Sequence, residues 1–215
     1  MTSDLEYRTL QIDGEATQLL WPAQDVGCFN IIASDWGLMN EQIIRFTPNR
    51  GIVIQAGGNC GMYPLLHSKQ FEFVLTFEPD PINFHCLAHN CTSSKIMKFN
   101  AAVGAKAEPL MMGVVEPLNI GMNKIGAGDT VVYCLPIDCL DLQVLSLLHL
   151  DIEGHEFPAL RGAEQTIMRC RPTIAVELSQ DVEETKRYIE SLNYREVFNE
   201  TSNSANFIFI PSERT

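Results

Sequence analysis

Basic residues are scarce in this chain. Against 27 Asp and Glu stand only 15 Lys and Arg, a formal net charge of −12 over 215 residues. Broad contact with nucleic-acid phosphates or anionic lipid needs a basic face, so neither nucleic acid nor membrane is an expected partner. No run of Lys or Arg offsets the deficit locally. No apolar stretch reaches the roughly 18 residues of a membrane span. The opening Met1-Thr2-Ser3-Asp4-Leu5-Glu6 lacks the basic flank and apolar block of a signal peptide, so a cytoplasmic location is expected. The seven cysteines (Cys28, Cys60, Cys86, Cys91, Cys134, Cys139, Cys170) form no CxxC pair, which disfavours a zinc knuckle. They read as small buried hydrophobes in a reducing compartment. A chain of this length can bury about 70% of its unfolded surface and needs no disulfide or metal staple. Internal repeats and low-complexity linkers are missing too, so residues 1–215 are expected to form one domain.

What the chain does have is a rhythm. Residues 5–20 alternate weakly around Asp13-Gly14, a hairpin signal, and 35–46 read as a helix that stops before Pro48 and Gly51. Residues 1–50 are therefore a cap of hairpin and helix. From Ile52, apolar strands recur at Ile52–Ala56, Phe73–Phe77, Ile96–Phe99, Val144–Leu150, Thr173–Leu178 and Asn206–Pro211. Helices fall between them at Pro81–Asn90, with Ile82, Phe84 and Leu87 on the apolar face, and at Asp181–Leu192. Continuous apolar strands alternating with helices predict an α/β fold over 51–211, its largely parallel sheet covered on both faces. Residues 105–136, with Pro117 and glycines at 113, 121, 126 and 128, break the rhythm. They read as a loop-and-hairpin insertion over one end of the sheet, suited to a substrate lid.

In such sheets the ligand lies outside the carboxyl ends of the strands. The first of these strands runs into Gln55-Ala56-Gly57-Gly58-Asn59-Cys60-Gly61-Met62-Tyr63, whose glycines permit a tight turn and close backbone approach to a ligand. The second ends in Phe77-Glu78-Pro79-Asp80-Pro81, placing Glu78 21 residues after Gly57, where an acid can accept from both ribose hydroxyls. A glycine turn also serves structural ends, and an acid at 78 also complements the helix starting at Pro81. Taken together, turn and spaced acid point to adenosine binding. The fourth strand ends in Leu150-Asp151-Ile152-Glu153-Gly154-His155-Glu156. Three carboxylates and an imidazole beside an apolar strand are costly to keep without a purpose, and an acid or imidazole there can take a proton from a hydroxyl. The plainer alternative is an acidic helix start with Glu153 and Glu156 in solvent. His67, His85 and His89 fall on helical segments and read as surface or packing residues.

In Ile54–Tyr63, Phe77–Phe84, Asn100–Gly104, Leu150–Glu156 and Arg171–Leu178 the chain resembles the FkbM-type methyltransferases, in order and spacing over about residues 35–211. Leu160-Arg161-Gly162-Ala163 also fits the family's helix after the fourth strand. The resemblance implies a Rossmann-like class I methyltransferase fold: a mostly parallel seven-stranded sheet with helices on both faces. It implies S-adenosyl-L-methionine as cofactor and, as partner, a small-molecule or glycan acceptor methylated on a hydroxyl. Gly57, Asn59 and Gly61, with Gly58 beside them, would hold the methionine end. Glu78 with Pro79 would bind the ribose, Asn100-Ala101 would lie near the adenine, and Asp151 would stand by the methyl-transfer centre.

Two positions depart from the family. Gln55 stands where Asp or Glu is common, offering an uncharged carbonyl to the cofactor's ammonium, and His149 stands where Lys is usual. His155, then Asp151, and Glu153 are the candidate bases, since an unperturbed imidazole titrates near neutral pH. Acceptor contacts are expected from residues 1–50 and 105–136, with Trp21, Trp36, Asn119, Asn123 and Tyr133 as candidates. Three other readings stay open. A cap-type RNA ribose 2'-O-methyltransferase would use Asp151 and Glu177 but lacks its lysines. A nicotinamide oxidoreductase would need G-x-G-x-x-G where the chain has Gly-Gly-Asn-Cys-Gly. A catalytically degenerate, methyltransferase-like binding protein is suggested by Gln55 and opposed by the block Asp151–Glu156.

Overall fold

A computed structural model describes residues 4–12, 14–30, 37–126, 128–201 and 205–214. Asp13 and Trp36 lie outside the described residues. The central sheet has seven strands. It holds β3 (Ile52–Ala56), β4 (Phe73–Phe77), β5 (Ile96–Phe99), β10 (Leu147–Leu150), β11 (Thr173–Glu177), β12 (Tyr194–Glu200) and β13 (Asn206–Pro211), in the order β12-β13-β11-β10-β3-β4-β5. The pairs from β11 through β10, β3 and β4 to β5 are parallel, and β13 runs antiparallel to both β11 and β12. The chain winds outward from β3 to β5, then returns to β10 on the other side. The switch point therefore falls between β3 and β10, and their carboxyl ends flank the crevice.

Period-two alternation sorts the strand residues onto two faces. Ile54, Leu148, Ile174 and Phe209 pack with Ala159, Leu160, Ile167 and Ile189 of α4 (Glu156–Arg161), α5 (Glu164–Cys170) and α6 (Val182–Ser191). On the other face Val53, Leu147, Ala175 and Ile208 meet Met39 and Ile43 of α1 (Gly37–Phe46). Val74 and Ile96 there meet Leu87 of α3 (Pro81–Asn90), and α2 (Met62–Gln70) completes that layer. Burial on both faces is why these strands read as unbroken apolar runs. A polar row crosses the sheet in register, Thr76–Gln55–His149. It is satisfied internally: Thr76 Oγ1 donates to Gln55 Oε1 at 2.7 Å, and His149 Nδ1 lies 3.1 Å from His67 Nε2 of α2.

The expected elements are present with shifted edges. The fourth strand starts at Leu147, because Val144 is 63% exposed and lies before the pairing begins. The buried side of α3 runs through Asn83, Cys86 and the expected Leu87, with Phe84 partly buried against the same cluster and Ile82 outside it. The cap is the antiparallel hairpin β1 (Leu5–Ile12) and β2 (Glu15–Pro22), whose Leu10, Leu19 and Trp21 pack on Met62 and Leu66 of α2 and Cys86 of α3. The insertion is a second, four-stranded sheet. It joins β6 (Ala102–Val103), β7 (Glu108–Val114), β8 (Asn123–Ile125) and β9 (Thr130–Leu135) in the order β6-β9-β7-β8, with a 3-10 turn at Ile120–Met122.

Asp25 ties cap and insertion together. Its fully buried carboxylate accepts from Trp21 Nε1 at 2.8 Å, Cys28 N at 3.2 Å, Phe29 N at 2.9 Å and Ile120 N at 3.2 Å. The Val26 and Gly27 amides add bonds to Leu118 O, both at 2.9 Å. Replacing Asp25 by Ala strands four donors, three of them buried and the Phe29 amide part-buried. Hydrogen bonds to a charged group contribute about 1.5–3 kcal/mol each and do not add fully, so a loss of at least about 3 kcal/mol is expected in urea unfolding. A loss below about 1 kcal/mol would show that cap and insertion are held by apolar packing instead.

Candidate active site

The crevice is built where β3 and β10 end. Gly57 lies at φ +85°, and a Cβ there would sit 1.8 Å from the backbone oxygen of Asp151. Only glycine lets the two strand ends come this close, and Asp151 N donates to Ala56 O at 3.1 Å across the same gap. The Gly57 and Gly58 amides both donate to Phe77 O, tying the turn to β4. At the end of β4 the Glu78 carboxylate is 6% exposed and accepts from Asn59 N at 2.7 Å and Asp80 N at 2.8 Å. Asp80 caps α3, accepting from the Ile82 and Asn83 amides, and its second oxygen accepts from Asn123 Nδ2 of the insertion at 3.2 Å. Asn83 Nδ2 donates to Ile120 O at 3.2 Å, so the insertion is fixed to the core helix as well as to the cap.

These elements enclose a cavity of about 630 Å³. Of the residues singled out in the sequence, Gly57, Asn59, Glu78, Pro79, Ala101, Asp151, Glu153 and His155 line it; Gln55, Gly58 and Gly61 are buried outside that lining, and Asn100 is exposed outside it. Gln55 calls for a correction. It is fully buried, its Oε1 takes the Thr76 hydroxyl and its Nε2 donates to Ala56 O and Gly57 O, so its carbonyl is spent on the sheet rather than turned to a ligand. Asn100 acts through the backbone, donating to Glu78 O at 2.8 Å and Pro79 O at 3.1 Å. Gly61 opens α2 at φ +103°, where a Cβ would meet Cys91 Sγ at 2.7 Å.

Of the residues proposed for acceptor contacts, Asn119 and Asn123 line the cavity, whereas Trp21 is enclosed in the cap core and Tyr133 lies outside the lining with half its surface exposed. Sequence reasoning missed Cys28, Tyr63, Asn83 and Met112, as well as Glu200 and Asn206 at the far end. Their one legible signal was position: Glu200 and Asn206 are register partners, and Asn206 also pairs with Glu177, so the three share the carboxyl end of the sheet with Asp151.

The site is electrostatically one-sided. Burial pushes the Glu78 carboxyl up to about 8. Burial and then the charge of Glu177 push Glu153 up to about 7, with Lys124 opposing. Asp151 is raised well above the usual carboxylate range by burial and then by Glu177, Glu153 and Glu156. Burial lowers His155 below its ordinary value, so this imidazole is neutral at pH 7. Glu156, read as a candidate for solvent, is instead 2% exposed and bonded to backbone amides. One wall thus holds several carboxylates facing each other, an arrangement that a cation would relieve.

Residues 63–196 match the methyltransferase FkbM domain. The chain belongs to the FkbM methyltransferase family. No curated protein sequence matches it. Among solved structures it is similar to the FkbM methyltransferase of Methylobacillus flagellatus KT, with TM-score 0.57 and 19% identity over 87% of this chain. It covers 48% of that protein, about half its length. The protein yhhF of Escherichia coli has TM-score 0.55 and 10% identity over 96% of this chain and 100% of its own. A ribosomal protein L11 methylase of Lactobacillus delbrueckii has TM-score 0.53 and 8% identity, covering 82% of this chain and 77% of that one. At these identities the likeness is one of fold, the Rossmann-like class I methyltransferase architecture expected of the FkbM family. No helix among the described residues is long and apolar enough to cross a membrane.

Proposed function

We propose that this FkbM-family chain is an S-adenosylmethionine-dependent O-methyltransferase acting on a hydroxyl of a sugar or other small metabolite. The observation that carries the reading is the two-ended cavity at the switch point. Phe77, Ala101, Val103 and Ile120 make one stretch of its lining apolar, Glu78 stands at the end of β4, and Asp151, Glu153 and Glu177 make another stretch anionic. That donor set fits the cofactor: a flat apolar surface for adenine, an acid for the ribose hydroxyls and carboxylates for a cationic sulfonium and ammonium. Each Glu78 oxygen already takes one backbone N–H and keeps a further lone pair for a hydroxyl.

When bound, the cofactor supplies a methyl group on a positively charged sulfur. The chain's own part is alignment and proton removal. Alignment of reacting groups is worth up to roughly 7–11 kcal/mol in favourable intramolecular models. For proton removal the electrostatics favour a different order from the sequence. Glu153, held at about 7, is tuned to accept a proton at neutral pH, and neutral His155 beside it is the second candidate. Asp151, with the strongest acidic surroundings, is better suited to face a cation.

The deciding measurement is calorimetric titration with S-adenosylmethionine and S-adenosylhomocysteine. Micromolar binding is expected, with Glu78→Ala weakening it at least about 100-fold, roughly 2.7 kcal/mol. No binding of either compound by the wild-type protein at millimolar concentration would sink the methyltransferase reading. Binding without transfer to any hydroxyl acceptor would favour the degenerate binding protein.

A further inference from the structure

The turn between β10 and α4 does not hold itself. Glu153 lies at φ 55° and Gly154 at φ 96°, two left-handed residues in succession, the first with a full side chain. Such a conformation is disfavoured for any residue but glycine and persists only where the surroundings impose it. Asp151 N is fixed to Ala56 O and His155 N reaches Ile152 O at 3.3 Å. The amides between them have no strand or helix partner. Two of these three are taken by one atom: Glu156 Oε1 accepts from Ile152 N and from Gly154 N, both at 3.1 Å. Glu156 is the first residue of α4, so its side chain folds back over the turn that precedes it, and it is 2% exposed. On the far side of the turn Gly154 packs so closely on Gln180 that a Cβ would come within 2.8 Å. The turn is gripped from two directions, and Glu153 projects from it into the cavity.

We propose that Glu156 is a positioning residue: its buried carboxylate clamps the amides of Ile152 and Gly154, and so sets Glu153 in the left-handed conformation that turns its side chain to the acceptor. The catalytic consequence rests on the methyltransferase reading above; the clamp does not. Glutamate suits the place for its reach. Aspartate is one methylene short of both amides, and glutamine keeps an acceptor oxygen while losing the charge that strengthens each bond. The acid also sits at a helix start, where negative charge is favoured.

Amide hydrogen exchange on the ligand-free protein tests the clamp without any acceptor. In Glu156→Leu the Ile152 and Gly154 amides are expected to exchange at least about 100-fold faster, while the Leu148 and Val176 amides in the sheet stay within about 3-fold of wild type. Glu156→Gln should restore protection to within about 10-fold. In the same samples the Glu153 carboxyl, followed by carbon NMR, should titrate nearer the ordinary carboxylate range in both variants, since each removes the Glu156 charge, and should move further in the Leu variant, where the turn is also released. If the Leu variant does not fold, Glu156→Asp, with its charge kept and its reach shortened, is expected to show the same local acceleration. Unchanged exchange at 152 and 154, or equal acceleration throughout the sheet, would overturn the proposal. Calorimetry with S-adenosylhomocysteine on the wild type separates the two failures, because absent binding there removes the function and leaves the exchange result standing.

Discussion

Gly57→Ala is expected to cost the protein at least about 3 kcal/mol and to abolish measurable binding of S-adenosylhomocysteine. Two separate penalties add at this position. The backbone sits at φ +85°, a region that costs an L-residue with a Cβ about 1–2 kcal/mol. The new methyl would then lie 1.8 Å from Asp151 O, which is backbone at the end of a central strand and cannot swing aside like a flexible side chain. Forcing extra atoms into such a contact costs about 1–3 kcal/mol or more. To make room, β3 and β10 must part at their carboxyl ends, which breaks the bond from Asp151 N to Ala56 O and displaces Asp151 from the cavity wall.

Gly126→Ala is the matched control. Gly126 lies at φ +90° with nothing within 4 Å of its would-be Cβ, so only the conformational penalty of about 1–2 kcal/mol applies. In thermal unfolding, where 1 kcal/mol shifts Tm by about 2–4 °C at this chain length, Gly57→Ala should melt at least about 6 °C lower than wild type. Gly126→Ala should stay nearer wild type and bind the ligand normally. Equal effects of the two variants would mean that the close approach of the strands at Gly57 carries no energy.

The sheet was legible because its central strands are buried on both faces and so write themselves as apolar runs; β3, β4 and β13 match the reading residue for residue. β12 was not legible. Tyr-Arg-Glu-Val-Phe-Asn-Glu has no apolar run, since it is an edge strand with one neighbour, bulged between Glu196 and Phe198. The small sheet of the insertion was seen only as a hairpin, because β6 joins it through two residues paired with the distant β9. In the site, Glu78, Asp151 and Glu153 were singled out from their place at strand ends, while Glu200, at the end of an edge strand without an apolar run, was missed. The errors came from residues that act one layer back. A motif places Gln55 beside a ligand, yet the choice between facing the cavity and bonding the Thr76 O–H is made by strand register, which no local spacing records. Trp21 is the same case: its indole N–H is claimed by Asp25 in the cap, leaving none for a sugar.

Without ligand, the protein is expected to lose stability as pH rises from about 6.5 to 8, the reverse of a fold held by surface ion pairs. A carboxyl whose pKa is raised in the folded state stabilises most fully below its unfolded value, and that contribution is lost as pH climbs through the folded value. Glu153 is held at about 7 and Glu78 at about 8, and Asp151 is raised as well, all with burial as the largest cause. The histidines pull the other way. Burial depresses His67, and depresses His149 to about 4, so each contributes stability above the unfolded imidazole value near 6.5 that is lost as pH falls. Below 6.5 the two trends compete; above it the histidines are neutral in both states and the acids act alone. One pKa unit is worth about 1.4 kcal/mol, so the Glu78 shift alone contributes about 2 kcal/mol between pH 6.5 and 8. Glu153 and Asp151 add to it, and Tm should fall by at least about 4 °C.

A cation in the crevice reverses the slope, because ionised carboxylates then gain a partner. S-adenosylmethionine, which carries a sulfonium, should raise Tm more at pH 8 than at pH 6.5, and S-adenosylhomocysteine, which does not, should show less of that increase. Glu78→Gln removes one of these titrating acids and should make the ligand-free profile above pH 7 less steep. A Tm that stays level or rises from pH 6.5 to 8 in the wild type would mean that the acids of the wall are solvated well enough to ionise freely, and the wall would then have no electrostatic preference for a cationic ligand.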